Sequence, residues 1–188
     1  MIKEIENLIL SSSDIIKQSV NLSNKIETSV KTITECIKNE NKIILFGNGG
    51  SAADAQHIAA EFIGRFKLER KGYPAIALTT DTSIRTSLLN DYSSDIIFSR
   101  QCESLVSKGD VVIGISTSGN SKNVENGLIT SKKNGAITIG LLGNGGGVLK
   151  NLVDISLVVG SSETPRIQEA HRVIYHIICE LVENELTK

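Results

Sequence analysis

Three groups of residues in this chain carry side chains able to do chemistry, and they lie far apart in sequence. His57 and Glu61 stand four positions apart in a stretch with a helical period, so an imidazole and a carboxylate lie one above the other. Gln168, Arg172 and His176 repeat that spacing near the C-terminus, again on one face of a helix. A carboxylate with imidazoles suits general acid–base catalysis or metal ligation. Taken alone, a His–Glu pair at this spacing is equally an ordinary surface ion pair worth roughly a few tenths of a kcal/mol. The third group is Ser116-Thr117-Ser118-Gly119-Asn120-Ser121, with four hydroxyls and an amide. Hydroxyls and free backbone N–H groups can hold a phosphate without Lys or Arg. A helix cap needs one hydroxyl, not four.

The elements that must position these groups follow from the apolar pattern. Ile43 to Phe46 reads as a buried strand, and it runs into Gly47-Asn48-Gly49-Gly50-Ser51. From Ala52 the period becomes helical, with Ala55, Ile58, Ala59 and Phe62 on the apolar face. Asp54, His57, Glu61 and Arg65 form the polar stripe opposite. The glycine-rich turn therefore delivers a helix N-terminus, where backbone donors and the helix dipole favour an anion. The turn is neither the GxGxxG of a dinucleotide fold nor a P-loop, and by itself it is equally a tight strand–helix connection.

Further strands are expected at Tyr73–Leu78, Val111–Ile115, Ala136–Leu142 and Asp154–Val159. Helices are expected at Thr82–Leu89, Ile96–Val106, Lys122–Lys133 and Arg166–Leu186, the last burying Ile167, Ala170, Ile174, Ile177 and Leu181. On that helix His171 and His176 point well apart, so only one can easily share a site with Gln168. Residues 1–40 read as helix, and Ser11-Ser12-Ser13-Asp14 is either the start of a second helix or the polar face of one long one. Their apolar stripe packs on the sheet or serves subunit contacts. Alternating strands and helices predict a three-layer α/β domain with a five-stranded, mostly parallel sheet in the flavodoxin-like order 2-1-3-4-5. Strands one and three are then neighbours, and a ligand crevice opens between the two small-residue loops that follow them.

Composition narrows the function classes. The 188 residues are expected to form a single domain, with a helical segment over 1–40 and the α/β core and closing helix over 41–188. Twenty basic side chains against 21 acidic ones give a net charge of -1, with no electrostatic footprint for nucleic acid. No apolar run reaches the ~18–20 residues that span a bilayer, so no membrane partner is expected. Cys36, Cys102 and Cys179 are odd in number and widely spaced, as expected of reduced thiols in a cytoplasmic protein.

GNGGSAADAQHIAAEFIGRF, GYPAIALTTDTS, GDVVIGISTSGNSKNV and RIQEAHRVIYHIICELVE together resemble the phosphoheptose isomerases of the sugar-isomerase (SIS) domain superfamily. The likeness is collinear from about Lys42 to Val182, and the two N-terminal helices also fit. It implies the SIS-domain fold and conversion of sedoheptulose 7-phosphate to D-glycero-D-manno-heptose 7-phosphate, the first step of activated-heptose synthesis for cell-surface polysaccharide. It implies Glu61 as the base and His176 as partner acid/base in an enediol mechanism, and zinc held by His57, Glu61, Gln168 and His176. By the same resemblance Ser51, Ser116, Thr117, Ser118 and Ser121 receive the phosphate. Asn48, Gly49, Gly50, Glu61, Arg65, Asn90, Asp91 and Gln168 meet the sugar, and homotetramers place the sites at subunit interfaces.

A non-enzymatic relative similar over the same length, the DnaA initiator-associating protein, is the alternative. It lacks acid/base residues at the positions matching Glu61 and His176, which this chain keeps. Ser162-Glu163-Thr164-Pro165 and Tyr92-Ser93-Ser94 depart from the family pattern and bear on the pocket rim.

Overall fold

The structure, a computed structural model, describes residues 1–188. Five strands form one parallel sheet in the order β2-β1-β3-β4-β5: β1 (Ile43–Gly47), β2 (Ala75–Ala77), β3 (Val111–Ser116), β4 (Ile137–Leu142) and β5 (Ile155–Val158). This is the expected order. Alternation along β1 divides the core, because successive side chains leave opposite faces of a strand. Ile43 and Leu45 join a cluster with α2 (Ser23–Lys38), α3 (Gly50–Ile63) and α7 (Thr164–Leu186). Ile44 and Phe46 join the other cluster, with α5 (Ile97–Leu105) and α6 (Lys122–Lys133). The helices that follow β1 and β3 thus leave on opposite faces of the sheet.

Several boundaries differ from expectation. Ser11–Asp14 lies inside α1 (Ile2–Gln18), and the break falls at a 3-10 turn over Ser19–Leu22. The Ser12 hydroxyl bonds back to the Leu8 carbonyl at 3.0 Å, so it serves the helix it sits in instead of capping a new one. The second strand is only Ala75–Ala77, since Asp81 accepts from the Ile84 N–H at 2.9 Å and starts α4 (Thr82–Asp91).

The buried side of α7 also differs. Ile177 and Leu181 are 39% and 42% exposed, while His171, Tyr175, Ile178 and Cys179 are buried. The reason is that α1 and α2 cover α7 incompletely. A groove of about 420 Å³ remains open between Ile16, Val20, Ile26, Ile174, Ile177 and Leu181. No helix is long and apolar enough to cross a membrane.

Candidate active site

Pairing of β1 with β3 sets Gly47 opposite Ile115, so the two loops leave the sheet side by side. Asn48 from the first loop and Asn123 from the first turn of α6 exchange two amide hydrogen bonds, at 2.9 and 3.0 Å. In the second loop the Ser116 hydroxyl lies 3.0 Å from that of Ser121 and 3.4 Å from that of Ser118. It also accepts from the Gly119 N–H at 3.1 Å. Ser121 occupies the N-cap position of α6 yet makes no capping bond, because its hydroxyl turns into the loop. Thr117 is half-buried beside them, and Ser51 is buried in the first turn of α3.

The loop is backed by the glycine-rich connection after β4. Gly119 has φ 67, and a β-carbon there would run into the Gly146 backbone. The Leu149 N–H donates to the Gly119 carbonyl and the Val148 N–H to Asn120 Oδ1, both at 3.1 Å. Hydroxyls, amides and backbone donors therefore converge in a cradle held from behind.

Gln168, in the first turns of α7, reaches the same end of α3. Gly50 is where its amide crosses, and a β-carbon there would collide with it. Gly49 and Gly50 are exposed, leaving the backbone of this turn open to a ligand.

Further along α3 the ionisable groups meet. His57 Nε2 lies 2.9 Å from Glu61 Oε1, and the His176 ring on α7 stands 5.1 Å from the His57 ring. One donor atom from each of His57, Glu61 and His176 falls within 4.8 Å of the other two. All three are half-buried. Two imidazoles and a carboxylate are a fitting donor set for zinc with a position left for substrate or water. Burial, followed by the neighbouring His57, holds the His176 pKa below its ordinary value, against the opposite pull of Glu61.

Residues outside the expected site hold this trio. Tyr175 is buried beside both imidazoles, its hydroxyl 3.1 Å from His57 Nδ1 and 3.3 Å from Asp54 Oδ1. Burial, then the Asp54 charge, pushes Tyr175 up to about 12. Asp54 is 3% exposed and also accepts from Arg172 Nη2 at 3.2 Å. At the far end of α3, Glu183 on α7 accepts the N–H groups of Phe66, Lys67 and Leu68 at 2.7 to 2.9 Å. Arg70 joins that carboxylate at 2.8 Å and donates to the Glu61 carbonyl at 3.0 Å. This clasp stands the Phe66 ring 5.7 Å from the His176 ring.

The remaining expected residues lie apart within one chain. Arg65 is exposed and pairs with Glu69 at 3.4 Å. Asn90 and Asp91 are exposed at the end of α4, hydrogen-bonded to each other at 2.8 Å. His171 is fully buried, its ring 3.0 Å from the Leu142 carbonyl, and burial pushes its pKa down to about 4. It is a core residue, as its divergence from His176 along the helix allows. Asn123, Tyr175, Glu183 and Arg70 escaped the sequence reading. Only Asn123, two residues beyond the serine loop, had a local signal.

Comparison with known proteins bears on this site. A model of the SIS domain matches residues 9–143. The phosphoheptose isomerase of Aliarcobacter butzleri is 52% identical over 183 residues, covering 97% of each chain. That of Geobacter sulfurreducens is 54% identical over 165 residues, 88% of this chain and 87% of its own. The solved phosphoheptose isomerase of Neisseria gonorrhoeae superposes with a TM-score of 0.93 at 36% identity, covering 98% of this chain and 100% of the other. The α/β core, the paired loops and these relatives agree: the chain belongs to the SIS-domain family and, within it, to the phosphoheptose isomerases.

Proposed function

We propose that this sugar-phosphate isomerase converts sedoheptulose 7-phosphate to D-glycero-D-manno-heptose 7-phosphate, supplying heptose for cell-surface polysaccharide. The observation that carries the reading is one helix, α3, with an anion cradle at its start and an acid–base cluster further along. From Ser51 to His57 the helix rises about 9 Å. The six carbon–carbon bonds of an extended heptose span about 8 Å. A phosphate on C7 in the cradle thus brings C1 and C2 to the cluster, and the distant phosphate supplies binding energy that orients the reacting end.

In this reading Ser51, Ser116, Thr117, Ser118 and Ser121 receive the phosphate, and Asn48, Gly49, Gly50 and Gln168 meet the chain of hydroxyls. Arg65, Asn90 and Asp91 complete the sugar site from a neighbouring subunit. Glu61 takes a proton from C1 of the ketose, leaving an enediol. The same proton, or one exchanged with solvent, returns to C2 to give the aldose. His176, its basicity lowered by burial, moves the accompanying proton from the C1 hydroxyl to the C2 oxygen. No net proton is gained or lost.

His57, Glu61 and His176 would hold zinc, with Gln168 as the fourth ligand expected from the family; the ion would polarise the carbonyl oxygen. A zinc-bound carboxylate is a weaker base, so Glu61 serves best as a base when its second oxygen is free. Glu61 and His176 also favour an enzyme over a non-catalytic DnaA-associating protein. The three free, buried cysteines suit a reducing cytoplasm. Self-association to a tetramer fits α1, which buries no residue in one chain and exposes Ile2, Ile5, Leu8, Ile9 and Leu10.

The test is conversion of sedoheptulose 7-phosphate followed by NMR, with and without a chelator. Aldose heptose phosphate is the expected product, its rate falling with the chelator. Binding of the ketose without product would favour the non-catalytic alternative.

A further inference from the structure

Tyr175 is the only hydroxyl between His57 and a buried carboxylate, and it has one proton for two possible acceptors. His57 uses both ring nitrogens: Nε2 lies 2.9 Å from Glu61, and Nδ1 lies 3.1 Å from the Tyr175 oxygen. On its other side that oxygen lies 3.3 Å from Asp54 Oδ1, which is 3% exposed and held by Arg172 at 3.2 Å. A carboxylate can only accept, whereas a neutral imidazole donates from one nitrogen and accepts at the other. The network therefore has two self-consistent proton arrangements, and they differ in the tautomer of His57.

We propose that Tyr175 and Asp54 are positioning residues for His57, forming a relay that holds the Nδ1–H tautomer and leaves Nε2 free to ligate a cation. The inference rests on the cation reading of the trio given above. Without a cation, Nε2–H donates to Glu61, Nδ1 accepts the Tyr175 proton, and Asp54 keeps only Arg172. With Nε2 ligating, the ring proton must sit on Nδ1. It is then donated to the Tyr175 oxygen, and the tyrosine proton turns to Asp54. The ring proton changes nitrogen by exchange with solvent and the hydroxyl rotates, so no proton is gained or lost. The second arrangement gives the buried Asp54 carboxylate a second donor, the Tyr175 hydroxyl beside Arg172, which the first does not. Partners of this kind fix ring orientation and typically tune metal affinity about 10–100-fold.

Tyr175→Phe removes the oxygen and keeps the ring that packs against both imidazoles. Zinc affinity of the purified protein, measured by competition with a chromophoric chelator, is expected to fall about 10–100-fold in Tyr175→Phe. Asp54→Asn, which keeps the shape but loses the charge, is expected to fall in the same direction. Nitrogen NMR of His57 in the wild type is expected to show the proton on Nε2 without zinc and on Nδ1 with it. Thermal unfolding of both variants checks that each is folded, and the Asp54→Asn arm answers if Tyr175→Phe is not. Wild-type zinc affinity retained in a folded variant, or one His57 tautomer in both states, would overturn the relay alone. A wild-type protein that takes up no zinc would overturn the cation reading and the relay together.

Discussion

The serine cradle and the histidine cluster are built from opposite materials. The cradle has no charged side chain among Ser116, Thr117, Ser118 and Ser121; its hydroxyls bond to one another and to loop N–H groups. The cluster concentrates two imidazoles and a carboxylate within 4.8 Å, walled by Tyr175 and Phe66. The first follows from strand order, since β1 and β3 are neighbours whose loops must emerge together and the connection after β4 backs them. The second depends on two helices, α3 and α7, meeting at one place. A binding site can be made of backbone and small residues, while proton transfer needs ionisable groups held in a partly shielded position.

That contrast can be broken from either side, and the largest effect is expected at Glu61, the proposed base. Glu61→Gln should lower kcat by about 10²–10⁴-fold while ketose binding, measured by calorimetry, changes little. A rate near that of the wild type would remove Glu61 from the chemistry.

Acid comes next, because it acts on the scaffold behind both regions. His171 is buried neutral with a pKa of about 4 against its ordinary 6.5. The unfolded chain therefore binds the extra proton first as pH falls. Stability is full above pH 6.5 and declines on the way to about 4, by up to about 3 kcal/mol. Thermal unfolding against pH should show this slope, and His171→Asn should flatten it.

Gly119→Ala places a β-carbon against Gly146 at a positive φ and should cost roughly 1–3 kcal/mol. It should raise KM for the phosphorylated ketose more than it lowers kcat. Asn123→Ala breaks the amide pair with Asn48, worth about 1 kcal/mol, and should raise KM only about fivefold. Equal losses in kcat from either change would mean that cradle and cluster are not separable.

The same contrast explains what the sequence discloses. The cradle is legible because each of its residues sits within a few positions of a strand end, and sheet topology does the rest. His57 and Glu61 are legible as a pair, but their meeting with His176 spans more than a hundred residues. No local pattern announces that α7 crosses α3. Ile177 and Leu181 fit the apolar period of α7 yet stay exposed, because periodicity says which residues share a face and not what covers it. Ser11–Asp14 suited either a helix start or a helix face for a related reason: a serine hydroxyl inside a helix can bond back to the preceding turn, as Ser12 does within α1. Glu183 and Arg70 bear ordinary charges, and only the fold reveals that both are buried in a clasp on the loop carrying Phe66.

The most direct test of the division between holding and proton transfer is conversion of sedoheptulose 7-phosphate in D2O, with the product's C2 position read by NMR. An enediol formed by Glu61, with the abstracted proton exchanging with solvent before it returns, predicts solvent deuterium at C2 of the aldose. Product free of solvent deuterium, formed at an undiminished rate by Glu61→Gln, would contradict the account and point to hydride moving directly between C1 and C2.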